Sequence, residues 1–155
     1  MNLSIIYAKL NSWDGTKNGG DIMVKIRHIA LSVPDPEKAA QFYEQALGLK
    51  RVGEGDSPMA TVVYLSDGYL NLALLKYKTD EAAGKDRGKE YVGVHHFGFK
   101  VDDVGEAQRR VEEHGGVFFM DQPLGQENMY YEKKFRDPDG IIFDLTHLGW
   151  VGAPE

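Results

Sequence analysis

Hydrophobic and polar positions alternate through residues 24–33. Ile29, Leu31 and Val33 point one way and His28, Ala30 and Ser32 the other, which predicts a strand. Asp35, Pro36 and Glu37 then supply an N-cap, a first helical position and a favourable first-turn charge. Ala39, Phe42, Tyr43, Ala46 and Leu47 recur at helical spacing, and Gly48 closes that helix. A short strand at 49–53, a loop at 54–58 and strands at 61–65 and 69–75 follow. The last two are joined by Ser66-Asp67-Gly68, a hairpin signal. After a polar, glycine-punctuated connector the order returns. A strand at 94–101 leads to a helix at 104–114 with Val104, Ala107 and Val111 as its apolar stripe. Strands at 117–120, 129–135 and 141–147 complete the set, the last two joined by the turn Asp137-Pro138-Asp139-Gly140.

The two sets are one unit written twice. His28 and His96, Val33 and Val101, Asp35 and Asp103, and Gly48 and Gly116 all share an offset of 68 positions. Each copy reads β-α-β-β-β. The predicted fold is α+β: two tandem βαβββ modules forming a curved, cup-like mixed sheet with the helices outside. The modules span about 24–77 and 94–148 with a connector at 78–93, inside one domain over 23–155. Residues 1–22 precede the repeat, hold a short candidate strand at Ser4-Ile5-Ile6-Tyr7-Ala8, and are assigned no role.

Composition narrows this little. The chain has 155 residues, 42% of them hydrophobic and 27% charged, as in an ordinary globular domain. A net charge of −6 argues against binding a nucleic-acid backbone. No apolar run approaches the ~18 residues of a membrane span, and no secretory leader is visible, so a cytoplasmic protein is expected. The absence of cysteine removes thiolate nucleophiles and cysteine-based zinc sites.

The chemistry lies on the face away from the helices. Aligning the last strands of the copies takes an offset of 71, which matches Leu70, Leu72 and Leu74 with Ile141, Phe143 and Leu145 on the helix-packed face. Asn71, Ala73 and Leu75 then match Ile142, Asp144 and Thr146 on the cleft face. His28, His96 and Asp144 thus converge from three strands, the composition of a facial-triad metal site with open positions. The plainer alternative is a pair of structural strand histidines with a carboxylate orienting one of them. By the same alternation His95 belongs to the helix-packed face as a core histidine and His147 points away from Asp144. Tyr130, Tyr131 and Lys133 lie before the final hairpin, where they are candidates for substrate contact.

Four segments carry a family resemblance: residues 28–35 (HIALSVPD), 42–49 (FYEQALGL), 95–103 (HHFGFKVDD) and 135–140 (FRDPDG). With them the chain resembles the vicinal-oxygen-chelate superfamily of glyoxalases, bleomycin resistance proteins, extradiol dioxygenases and methylmalonyl-CoA epimerases. The resemblance implies metal ligands at the first and last strand of each copy, which fall on His28, His96 and Asp144. The fourth position falls on Ala73, which cannot ligate. A set of two histidines and one carboxylate is most like the ring-cleaving extradiol dioxygenases, with Fe(II) or Mn(II) favoured and Zn(II) or Ni(II) as alternatives. The tyrosine those enzymes place beside the metal falls near Lys134, leaving Tyr130 and Tyr131 as neighbouring catalytic candidates. The same-class alternative is a glyoxalase- or epimerase-type lyase or isomerase, and the different-class one a non-catalytic small-molecule binding protein. A small-molecule substrate and a homodimer are expected from the resemblance, with neither nucleic acid nor membrane as partner.

Overall fold

The computed structural model describes residues 22–122 and 131–153. Tyr130 and the strand expected at 4–8 fall outside these. The first module runs β1 (Val24–Ser32), α1 (Pro36–Leu47), β2 (Lys50–Asp56), β3 (Ala60–Ser66) and β4 (Asn71–Tyr77). A short helix, α2 (Asp80–Ala83), lies in the connector. The second module runs β5 (Gly93–Val101), α3 (Val104–Glu113), β6 (Val117–Gln122), β7 (Glu132–Arg136) and β8 (Ile142–Thr146). The eight strands form one open mixed sheet in the order β2-β3-β4-β1-β5-β8-β7-β6. The fold is the expected α+β arrangement of two βαβββ modules. Antiparallel β1 and β5 join the halves, while β1/β4 and β5/β8 are the parallel pairs within each.

Both long helices start by the same device. Asp35 Oδ1 accepts from the Lys38 amide at 3.0 Å, and Asp103 Oδ1 from the Glu106 amide at 2.9 Å. Gly48 ends α1 at φ 74°, a left-handed conformation that favours glycine. Each helix then covers its own module. Ala40 of α1 packs with Val63, Leu65 and Leu74, and Ala107 of α3 packs with Val101, Phe135, Phe143 and Leu145. Burying these side chains frees the other face of the sheet for the cavity. Among the described residues no helix is long and apolar enough to cross a membrane.

Two local expectations change. The loop expected at 54–58 is shorter, because β2 runs to Asp56 and the turn is closed by Ser57, whose Oγ accepts from the Met59 and Ala60 amides at 3.2 Å. Alternation also breaks at His95. On β1 the pairs Ala30–His96 and Leu31–Val94 leave His95 as an extra residue on β5. Such a bulge re-aims side chains, and His95 consequently lines the cavity beside His96.

Candidate metal centre

β1, β5 and β8 are consecutive in the sheet, and each contributes one polar side chain to the same face. One ligand atom from each of His28, His96 and Asp144 lies within 4.8 Å of the others. The three residues are 3%, 5% and 0% exposed. The register makes this convergence. Gly98 of β5 pairs with His28 on one side and Asp144 on the other, so β5 itself puts no side chain between them.

Neighbouring hydrogen bonds set both imidazole tautomers. Asn71 Nδ2 donates to the Val151 carbonyl at 2.8 Å, which turns its Oδ1 toward His28 Nδ1, also at 2.8 Å. His28 therefore carries its proton on Nδ1 and keeps an Nε2 lone pair. His95 Nε2 donates to the Ala83 carbonyl at 2.8 Å, leaving His95 Nδ1 to accept from His96 Nδ1 at 2.8 Å. His96 is then left with a lone pair on Nε2, 3.3 Å from Asp144 Oδ2. A lone pair facing a carboxylate oxygen at that distance repels it unless a proton or a cation lies between. Burial lowers all three histidines, His28 to about 4 and His96 well below its ordinary value, so each is neutral, the form that binds metals.

Two further charged side chains complete the site, and sequence reasoning overlooked both. Lys134 Nζ donates to Asp144 Oδ2 at 2.8 Å and to Glu132 Oε2 at 3.0 Å. Trp150 Nε1 donates to Glu132 Oε1 at 2.6 Å. Burial pulls the Lys134 ammonium down, but the carboxylates of Asp144 and Glu132 outweigh it and hold it raised. Burial likewise opposes ionisation of Glu132 and is outweighed by Lys134 and the Trp150 hydrogen bond, so Glu132 titrates low. Asp144 goes the other way, pushed up to about 8 by burial despite Lys134. Its Oδ1 is buried with no hydrogen-bond partner, a costly state for a carboxylate oxygen. Two neutral imidazoles and one carboxylate, their ligand atoms within 4.8 Å of one another, form a donor set suited to a divalent cation.

A cavity of about 160 Å³ opens onto this cluster. The two histidines, Glu132 and Lys134 form its polar end, and Val62, Leu75 and Met59 belong to its apolar wall. A family model described as the Glyoxalase/Bleomycin resistance protein/Dioxygenase superfamily matches residues 25–145. The chain belongs to that superfamily. The probable chloroplastic lactoylglutathione lyase of Arabidopsis thaliana is 26% identical over 139 residues, covering 84% of this chain and 37% of that protein. This chain thus spans well under half the length of that relative. The ethylmalonyl-CoA/methylmalonyl-CoA epimerase of Cereibacter sphaeroides is 30% identical over 95 residues, 59% of this chain and 71% of the relative. Among solved structures, a Streptomyces coelicolor methylmalonyl-CoA epimerase bound to 2-nitronate-propionyl-CoA superposes with a TM-score of 0.65 at 22% identity, over 78% of this chain and 94% of that one. The Mycobacterium tuberculosis methylmalonyl-CoA epimerase gives 0.66 at 17% identity, over 84% and 91%. At these identities the likeness is one of fold.

Both curated superfamily relatives carry the names of a lyase and an epimerase, which favours the lyase or isomerase alternative over the dioxygenase reading. Tyr131 packs its ring edge-on to His147 at 5.7 Å and is absent from the lining, and Tyr130 lies outside the described residues. Lys133 turns to the helix side and donates to Gln108 Oε1 at 2.9 Å. Where a superfamily fourth ligand would stand, Ala73 is buried against Ala30 and Val62. A period-2 reading back from the core residue Phe135 puts Glu132 and Lys134 on the face opposite it, but not their burial there.

Proposed function

We propose that this chain is a divalent-metal enzyme of isomerase or lyase type, moving a proton beside a carbonyl group, with His28, His96 and Asp144 as the metal ligands. The observation that carries the reading is the convergence of one ligand atom each from the buried His28, His96 and Asp144, beside a cavity that both histidines line. A divalent cation held there supplies Lewis acidity to a substrate oxygen. Asn71 and His95 orient the ligands, as outer partners of metal-bound histidines do. The base that a fourth ligand often provides is missing at Ala73, and Glu132 replaces it: it lines the cavity, is ionised, and can take the proton from carbon. Lys134 spends two of its three N–H donors on Asp144 and Glu132. The third serves an oxygen that gains negative charge in the same cavity. The apolar wall keeps water from that charge.

The substrate class is a small carbonyl compound with an exchangeable proton on the adjacent carbon. The test is deuterium exchange at that carbon, in D₂O, using Zn(II)- or Co(II)-loaded protein. Two substrates suffice: the glutathione–methylglyoxal hemithioacetal and methylmalonyl-CoA. Glu132→Gln should retain the metal and lose exchange by a factor of 10² or more. Exchange that survives Glu132→Gln would refute the assigned base. A second reading, an extradiol-type dioxygenase with Fe(II) or Mn(II), is favoured by the two-histidine, one-carboxylate donor set with alanine at position 73. Oxygen uptake with catechols in the absence of proton exchange would select it. Ligand binding with neither metal nor turnover would select a non-catalytic binding protein.

A further inference from the structure

We propose that the segment after β8, residues 149–153, is a structural wall of the site and that Trp150 is a positioning residue for both His28 and Glu132. The inference rests on the metal-site reading above and assigns a role to a tail that carries none of the cavity chemistry itself. The chain turns at Gly149, φ 77°, and crosses back over the face that holds the histidines. Trp150 is 4% exposed there. Its ring lies parallel to His28, 9° between planes and 4.8 Å between centroids. The same indole donates from Nε1 to Glu132 Oε1 at 2.6 Å.

The next two residues fasten the wall. The Val151 carbonyl accepts from Asn71 Nδ2 at 2.8 Å, the bond that aims Asn71 Oδ1 at His28. The Gly152 carbonyl accepts from Ser66 Oγ at 2.6 Å. Three consecutive residues thus reach the ring of His28, the group that sets its tautomer, the proposed base, and the end of β3. The sheet is shaped to receive them. A Cβ on Gly98 would sit 2.4 Å from the Trp150 ring, and one on Gly152 would sit 2.8 Å from Ser66 Cβ. A tail that only covered apolar surface would need none of these polar bonds.

Tryptophan emission tests the proposal directly. The chain holds two tryptophans, so Trp13→Phe leaves Trp150 as the sole emitter. Titrating that protein with Co(II) should quench its emission saturably at one equivalent, and excess Zn(II) should restore it. Trp150→Leu removes stack and donor together and should weaken Zn(II) binding by about 10- to 100-fold in calorimetry. Trp150→Phe keeps a ring on His28 and loses only the donor to Glu132. Its Zn(II) affinity should stay within about threefold, while kcat for proton exchange falls at least tenfold with KM little changed. No metal bound by the unaltered protein would overturn the metal-site reading and this inference with it. Metal bound normally by Trp150→Leu, or bound in the Trp13→Phe protein without quenching, would overturn the inference alone. If Trp150→Leu proves unfolded by circular dichroism, the quenching titration and the Trp150→Phe kinetics decide the matter.

Discussion

Raising the pH from about 6 to about 8 should tighten metal binding roughly 50-fold, and one residue should account for it. An ordinary pair of exposed histidines competes with metal through protonation near their usual value of ~6.5. Here burial has already removed those protons, with His28 at about 4 and His96 well below 6.5. Asp144 is the exception: burial pushes it up to about 8, so below that pH a cation must displace its proton. The geometry makes the two mutually exclusive, because the space between His96 Nε2 and Asp144 Oδ2, 3.3 Å apart, takes a proton or a cation. One competing proton gives a tenfold change in affinity per pH unit, about 1.4 kcal/mol. The rise should flatten above about 8. Calorimetric Zn(II) titrations in buffers of different ionisation enthalpy count the protons directly. About one should leave per metal near pH 6 and about half near pH 8. Asp144→Asn should abolish the pH dependence while weakening binding. Affinity that is flat from about 6 to 8, or a loss of two protons centred near 6.5, would refute the reasoning.

Other expectations are simpler to check. Asn71→Leu removes the acceptor that sets the His28 tautomer and should lower Zn(II) affinity about 10- to 100-fold, read by competition with a chromogenic chelator. Gly98→Ala drives a Cβ against the Trp150 ring and should cost about 1–3 kcal/mol in urea unfolding, with a changed tryptophan emission. Phe135→Ala empties the fully buried centre of the second-module core and should cost about 3–5 kcal/mol in the same assay. Chelated protein should be most stable near pH 6.5. A histidine lowered to about 4 in the folded state contributes stability that is present above ~6.5 and lost as pH falls toward 4, about 3 kcal/mol for His28. Asp144, raised to about 8, acts in the opposite sense from about 4 to 8; below ~6.5 it offsets His28, the likewise lowered His96 tips the balance toward a rise, and above ~6.5 only the decline remains. Thermal melts in EDTA from about pH 4 to 9 test this, and a maximum outside about 6 to 7 would contradict it.

Much of this architecture is legible in the sequence because both copies obey the same local rules. Alternation in β1 and β8 exposes His28 and Asp144 to one face, and the aspartate caps at 35 and 103 repeat in kind and spacing. The offset of 71 for the last strands also survives in the pairing. Ala73 stands opposite Ala30 and Asp144 opposite Gly98, two positions beyond His28 and His96 respectively. What period-2 reasoning could not supply was the bulge. A single extra residue at His95 turns an expected core histidine into the group that holds the His96 tautomer. The run Glu132-Lys133-Lys134 reads as a solvated strand, because charge is normally kept at the surface. Only the mutual pairing of Glu132, Lys134 and Asp144 makes their burial affordable, and pairing across strands leaves no mark in one strand's pattern.

Comparing the copies shows how one unit came to serve two purposes. Tyr64 pairs with Ala73 in the first module at the positions where Lys134 pairs with Asp144 in the second. Two residues earlier, Val62 stands where Glu132 does. The first copy thus gives this face Val62, Tyr64 and Ala73, which pack as an apolar wall. The second gives it the ionisable Glu132, Lys134 and Asp144. Returning a carboxylate to position 73 would add a third buried acid to a cluster that holds one lysine. With no metal present, such a charge is destabilising unless it is protonated. The asymmetry fits the proposed function: with Lys134 in place, one carboxylate would serve the cation and one the proton, and the second module supplies both. The wall facing them is then free to be apolar, as the proposed carbonyl substrate would require.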